Sequence, residues 1–311
     1  MGVLSVRHLT TYRYAEPVEL GEHRMMFRPR ESHDLRLIRT RLDITPQPAD
    51  LHWRHDVFDN SVAIANFDCA TTWLQFDSMI TLEHVETRPP DYALEFAART
   101  FPFDYPRDEW PDLAPALQRP EPSAEVDQWA AQFLPPGFRP GERSGTGTIG
   151  TMDLLRAMAL GIRQQLRYMR RVERGVQTPV ETLRHGSGTC RDFAWLMIDA
   201  VRALGLAARF VSGYIYVPDA APPSSDAPLS PADGGATHAW LQVYLPGAGW
   251  ADFDPTNSII GNRNLIRVAV AWSPMQVLPL WGTYAGSASA CLGMQVAVSV
   301  TEESGHTNTL A

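Results

Sequence analysis

The chain has 311 residues, 27 basic against 35 acidic side chains, three cysteines and no lysine, so every basic side chain is an arginine. At about 150 residues per domain there is room for two domains, each with its own core, and 44% apolar against 20% charged residues excludes wholesale disorder. A formal net charge of -8 argues against general nucleic-acid binding, and cysteines at 69, 190 and 291 are too few and too scattered for a disulfide scaffold.

The N-terminus alternates apolar and polar residues instead of forming an apolar core, so no secretory signal is expected. No run of about 18 apolar residues is free of charge, so no membrane span is expected either. A reduced, soluble, cytoplasmic protein is the expectation, with its oligomeric state open. Residues 3–86 read as β structure. Segments 35–44 and 73–82 alternate strictly, with turn residues at 46–50 and at Asp59-Asn60 between them. A small antiparallel sheet or sandwich with no chemistry of its own is expected there. His52 and His55 have a metal-like spacing, but residues three apart on a strand point to opposite faces, which disfavours a metal site.

Residues 88–122 are rich in proline, including Pro89, Pro90, Pro102, Pro106 and Pro111, and read as an extended connector along the surface. Helical spacing follows in Leu155, Met158, Ile162, Leu166 and Met169. The other side of that helix carries Arg163, Arg167, Arg170, Arg171 and Arg174, either a solvated face or a patch that attracts carboxylate-bearing substrates. After Gly186-Ser187-Gly188 a second helix is marked by Phe193, Ala194, Met197, Val201 and Leu204, stopping at Gly205. A strand over 206–217, an aperiodic loop over 218–236 and two strands over 238–245 and 250–254 complete the unit. The expected organisation is thus 1–88, 89–122, 123–272 and a β-forming C-terminal segment over 273–311 that packs on the rest.

Chemistry concentrates in three of these places. Cys190 sits where a glycine-rich loop enters a helix, and there unpaired N–H groups and the helix dipole favour a thiolate and are available to a developing oxyanion. His238 opens a strand on which His238, Trp240, Gln242 and Tyr244 share one face, the other being assigned to the core. If Tyr244 pairs with Trp250, then Asp252 opposes Gln242 and Asp254 comes within reach of His238. The competing reading makes Asp254 only a turn residue before Pro255. Together the three form a nucleophile, base and orienting carboxylate. Cys69 and Cys291 read as small buried hydrophobes. Asp192 is explained by the dipole of its helix, and His185 is either a helper or a solvated loop residue. Tyr214 and Trp240 are candidate substrate-binding residues in the cleft, or core.

The segments Glu181-Thr182-Leu183, Gly188-Thr189-Cys190-Arg191-Asp192-Phe193-Ala194, Ser212-Gly213-Tyr214, Thr237-His238-Ala239-Trp240 and Phe253-Asp254-Pro255-Thr256-Asn257 resemble the bacterial transglutaminase-like family. Thr11-Tyr12-Arg13-Tyr14-Ala15-Glu16-Pro17-Val18 and Phe27-Arg28-Pro29-Arg30 resemble the β-rich domain preceding that core. The resemblance implies an α+β protein, an N-terminal antiparallel β domain followed by a papain-like core, with Cys190, His238 and Asp254 on the catalytic positions. Where members often continue with a Gly-Arg-Asp-Tyr type segment, this chain has Ala271-Trp272-Ser273-Pro274-Met275-Gln276, which implies an altered substrate preference if that segment borders the cleft.

The expected reaction is acyl transfer from an amide or peptide bond through a thioester, with no metal or organic cofactor. Hydrolysis is favoured over transfer to an amine, and a non-catalytic binding module is the third reading. An intact triad speaks against that third reading, because a scaffold has no use for all three groups. Without lysine, an enzyme that passes acyl groups to amines has no ε-amine of its own to crosslink, although a genome-wide preference for arginine explains the same count.

Overall fold

The first strand, β1 (Gly2–Met25), is the spine of the N-terminal half. In the computed structural model, which describes residues 2–85, 92–138, 147–169, 175–217 and 235–303, β1 is followed by β2 (Leu35–Thr45), β3 (Asp50–His55), β4 (Ser61–Asn66) and β5 (Ala70–His84). The alternation seen in the sequence is the reason they pair. Val6 sits opposite Ile80 and Leu4 opposite Leu82, all buried, while Arg7 and Asp77 meet on the exposed face at 2.7 Å. The antiparallel order is β2-β5-β1-β4-β3.

The proline-rich stretch is not an extended surface connector. Its residues 88–91 lie outside the described residues, and from Tyr92 onward it forms a folded belt that includes β6 (Thr100–Phe101) and helix α1 (Trp110–Leu117). Pro111 occupies the first turn of α1, where a missing N–H costs nothing, and Phe101, Phe103, Tyr105 and Leu113 are buried in the main core. The aromatic residues between the prolines decide the outcome, because their burial outweighs the extended preference of the prolines.

The central unit continues with α2 (Ala124–Ala131), β7 (Ile149–Gly150), α3 (Thr151–Gln165), β8 (Arg167–Tyr168), α4 (Pro179–His185), β9 (Ser187–Gly188) and α5 (Cys190–Ala203). In α3 the stripe Leu155, Met158 and Ile162 is fully buried, but the helix stops at Gln165. Leu166 is only its cap and Met169 is exposed, because Arg167 and Tyr168 leave the helix to pair in parallel with Ser187 and Gly188. Arg170, Arg171 and Arg174 of the arginine run lie outside the described residues. Helix α5 ends as expected, with Gly205 in the left-handed region at φ 78°.

Helix α5 packs on a five-stranded antiparallel sheet in which β10 (Ala208–Tyr216), β11 (Gly235–Leu245), β12 (Gly249–Asp254), β13 (Ile259–Ile260) and β14 (Leu265–Ala271) are ordered β13-β12-β11-β10-β14. The face of β11 carrying Ala239, Leu241, Val243 and Leu245 is core, as the alternation predicts. On the opposite face His238, Trp240 and Gln242 are buried too. The N-terminal half fastens to the core sheet at several points: Tyr214, which shares the Ala239 face, meets His8 at 2.9 Å, Asn60 exchanges hydrogen bonds with the backbone of Val270 at 2.8 and 2.9 Å, and Asn262 donates to Asp34 at 3.0 Å. Two final strands, β15 (Leu280–Ala285) and β16 (Cys291–Glu302), return to pair antiparallel with β1, so the N-terminal sheet is built from both ends of the chain. Among the described residues, no helix is long and apolar enough to cross a membrane.

Candidate active site

Local sequence places Cys190 at the first position of α5. Thr189 caps the helix, and its side chain and the N3 residue Asp192 bond each other's backbone reciprocally. Asp192 does more than answer the helix dipole. It is fully buried, accepts from Thr189 N at 2.8 Å and Thr189 Oγ1 at 2.9 Å, and reaches across to accept from Gln177 N at 2.7 Å. The loop before the thiol is thereby tied to the loop before α4. Gly188 is required in this arrangement, because a Cβ there would stand 2.9 Å from the Asp192 Cβ. Cys190 itself is half-buried and unoxidised, as are Cys69 and Cys291, so the last two are less enclosed than their sequence setting suggests.

The hairpin of β11 and β12 has the register expected from sequence, with Tyr244 opposite Trp250 and Gln242 opposite Asp252. Its consequence is a buried contact in which His238 Nε2 donates to Asp254 Oδ2 at 2.8 Å. Cys190 neighbours the same imidazole and helps to raise it. Asp254 is also the turn residue of the competing reading. Its Oδ1 accepts from the backbone N–H of Thr256 at 2.9 Å and of Asn257 at 3.3 Å, while Oδ2 accepts from Asn257 Nδ2 at 2.8 Å. The turn and the histidine are held by opposite oxygens of one carboxylate.

Burial alone would push the His238 imidazole down. The charge and hydrogen bond of Asp254, followed by the hydrogen bond and charge of Cys190, reverse this and raise it to about 10. Burial pushes Asp254 up, but the imidazole, Asn257 and Thr256 together hold it below the ordinary carboxylate range. The arrangement therefore favours a protonated imidazole beside the Asp254 carboxylate and the Cys190 sulfur, which suits proton delivery to a leaving group.

Tyr214 and Trp240, read as candidate cleft residues, are core. Tyr214 is 2% exposed and bonded to His8, and Trp240 is 0% exposed with its Nε1 donating to Asp252 Oδ1 at 2.7 Å. The Trp240 ring stacks on His238 at 6.0 Å and 24°. Gly213 makes room for it, since a Cβ there would fall 2.8 Å from Trp240 Cη2 and 2.1 Å from the Ile266 carbonyl oxygen. Of the two readings open for these residues, cleft or core, the burial decides for core on both faces of the sheet, Tyr214 lying opposite Thr237 and Trp240 opposite Val211. His185 engages the loop before α4, its Nδ1 3.3 Å from Gln177 Nε2. His52 and His55 pair separately with Asp50 and Asp59, at 2.7 and 3.2 Å. Among the described residues no three His, Cys, Asp or Glu side chains are grouped to hold a metal ion.

Asn257 is a site residue to which sequence reasoning assigned no role. An Asn three positions after Asp254 and following Pro255 is a recognisable turn signal, and it was available in the motif. Arg163 secures this turn by donating from Nη1 to the Asn257 carbonyl at 2.9 Å, a role that neither reading of the arginine run foresaw. The segment 271–276 is anchored next to the nucleophile. Arg191 Nη2 donates to the Pro274 carbonyl at 2.6 Å, Trp272 packs edge-on against Phe58, and Met275 stays exposed.

Comparison with known proteins places these features in a wider group. Residues 4–83 match the bacterial transglutaminase-like N-terminal region, and residues 144–255 match the transglutaminase-like superfamily. An uncharacterized protein of Mycobacterium tuberculosis H37Rv is 30% identical over 307 residues, covering 94% of this chain and 91% of its own length. One of Mycobacterium leprae is 32% identical over 120 residues, covering 39% of this chain and 40% of its own. A crystal structure from Cytophaga hutchinsonii described as a "putative cysteine protease" aligns with a TM-score of 0.66 at 17% identity, over 98% of this chain and 92% of that one, which shows a shared fold.

Proposed function

Since the chain belongs to the transglutaminase-like superfamily and carries the bacterial transglutaminase-like N-terminal region, we propose that it is a papain-like thiol enzyme that cleaves an amide or peptide bond. The observation that carries this reading is the buried His238–Asp254 hydrogen bond at 2.8 Å beside Cys190, which opens helix α5. Cys190 Sγ attacks the carbonyl carbon of the substrate. The resulting oxyanion faces the N–H groups of the first turn of α5, and the protonated His238 delivers its proton to the departing nitrogen. An amine or ammonia leaves, and a thioester joins the acyl group to Cys190.

In the second half, water adds to the thioester, His238 takes its proton, and the acid and free thiol are released. We place hydrolysis ahead of transfer to an amine because Cys190 is half-buried and the thioester would stand open to solvent. The substrate class is a peptide or another carboxamide.

Iodoacetamide labelling with peptide mapping tests the thiol. Cys190 should alkylate at neutral pH faster than a free cysteine does, and an ordinary rate would remove the catalytic reading. Intact mass of a glutamine peptide, followed with and without a primary amine, tests the outcome of the thioester. Deamidation ahead of amine incorporation is expected, and the reverse order would make the protein a transferase.

A further inference from the structure

A cavity of about 560 Å³ lies between loop residues 30–34, 58 and 60 of the N-terminal half and the Arg209, Gln242 and Asp252 face of the core sheet, and none of Cys190, His238 and Asp254 lines it. Its volume is in the range of small-molecule sites. Three arginines reach it, and their situations differ. Arg30 pairs with Asp59 at 2.8 Å, and Arg267 pairs with Asp34 at 3.2 Å. Arg209, on β10, has no such partner: among the described residues no carboxylate lies within 4.0 Å of its guanidinium.

The rest of the Arg209 side chain is firmly held. Nε donates to Gln242 Oε1 at 2.9 Å, and the guanidinium carbon stands 4.1 Å above the centre of the Trp250 ring. Arg209 lines the cavity, and among the described residues no hydrogen bond occupies its two Nη groups. Asp252 is the nearest help, but its carboxylate is engaged by Trp240 Nε1 and Gln242, and burial pushes it up toward the neutral form. Arg209 is accordingly pushed down to about 9, by burial first and then by the charges of Arg267 and Arg30, with Asp252 only partly opposing them. Arg209 is half-buried, and a cation partly withdrawn from water beside two other arginines is stabilised by an anionic partner.

We propose that this cavity is a second ligand site, separate from the thiol, that takes a small organic anion whose carboxylate or phosphate forms two parallel hydrogen bonds with the Arg209 fork. Bidentate geometry of this kind suits both oxyanions. Phe58, Tyr92 and Trp250 give the site an aromatic wall for the body of the ligand. The two oxyanions are separated by experiment, with benzoate and phenyl phosphate as probes and benzyl alcohol as the neutral control.

Isothermal titration of the full chain should show one of the two anions binding with one site per chain and benzyl alcohol not saturating. Arg209→Gln should weaken that binding at least about tenfold, a lost bidentate contact to a charged group, and Cys190→Ala should leave it unchanged. Should Arg209→Gln fail to fold by circular dichroism, Arg209→Lys keeps the charge without the fork and carries the same comparison. The proposal is overturned if neither anion saturates, if benzyl alcohol binds equally well, if Arg209→Lys and Arg209→Gln bind as the wild type does, or if Cys190→Ala abolishes binding.

Discussion

His8 and His238 are both buried imidazoles, one on the first strand and one on the core sheet, and burial and neighbours shift them in opposite directions. His8 faces only neutral partners, Tyr214 Oη at 2.9 Å and Thr10 Oγ1 at 3.1 Å, and burial pushes it down to about 4. His238 pays the same desolvation cost but meets Asp254 and Cys190, and is raised to about 10. The same contrast is repeated among the carboxylates of β12. Asp252 and Asp254 are two residues apart and both buried, yet the first is pushed up and the second down, because only the second meets an imidazole and a full set of turn N–H donors. Burial sets the scale of such shifts, and the identity of one neighbour sets their sign.

The largest expected effect comes from breaking that neighbour. Asp254→Asn keeps the size of the side chain but removes the charge that holds the imidazolium, and turnover should fall by about 10⁴-fold, the scale found when an orienting carboxylate becomes an amide. His238 should then titrate far below its present value, which histidine NMR would follow. A loss of less than about tenfold would show that Asp254 serves the turn alone, since orienting a general acid or base is worth far more than that.

The two histidines also predict opposite slopes of stability with pH. His238 is raised in the fold, so its contribution is complete below about 6.5 and is lost as pH rises toward about 10. His8 is lowered, so the unfolded chain takes up a proton that the folded chain refuses, and stability is complete above about 6.5 and falls as pH drops toward about 4. A shift of this size corresponds to about 3 kcal/mol over that interval. Denaturant titrations should therefore show His8→Gln losing much of the acid slope and Asp254→Asn losing the alkaline one. A wild type whose stability is flat between pH 4 and 6.5 would contradict the neutral, buried His8.

Next in size is Trp240→Phe. It keeps a ring against His238 and removes the indole N–H from Asp252, leaving a buried oxygen with one donor fewer. A loss of about 2 kcal/mol is expected from chemical denaturation, with turnover changed by less than about tenfold. A collapse in rate with little loss of stability would mean that the indole itself orients the histidine.

How far the site was legible follows from the same geometry. Cys190, His238 and Asp254 were readable because each depends on local rules, a capped helix start and a two-residue strand period, and those rules held in the β11–β12 register. What was not legible depended on a second layer. Trp240 alternates with core residues as a cleft residue would if its face of the sheet were open, Tyr214 lies on the other face, and nothing local announces that His8, Asn60 and Asp34 from the first 85 residues fasten onto the core sheet. The belt over 92–122 failed for a related reason, since prolines report backbone preference while the partners of Phe101, Phe103 and Tyr105 are distant in sequence. Arg163 and Asn257 lie between the two cases: the turn was readable, but the helix that fastens it was not.

Tyr214→Phe is the smallest change and tests that second layer most directly. The hydroxyl lies in a site that is 2% exposed, and its single described partner there is His8 Nδ1. Removing it deletes one hydrogen bond between neutral groups and adds no charge, while His8 keeps Thr10 on its other nitrogen, so about 1 kcal/mol of stability should be lost. The ring remains edge-on to the imidazole at 5.6 Å, which preserves the packing. Because the hydroxyl faces the N-terminal sheet and not the thiol, KM for any peptide substrate should be unchanged. A KM raised severalfold at unaltered stability would return Tyr214 to the cleft and require the two sheets to part when substrate binds.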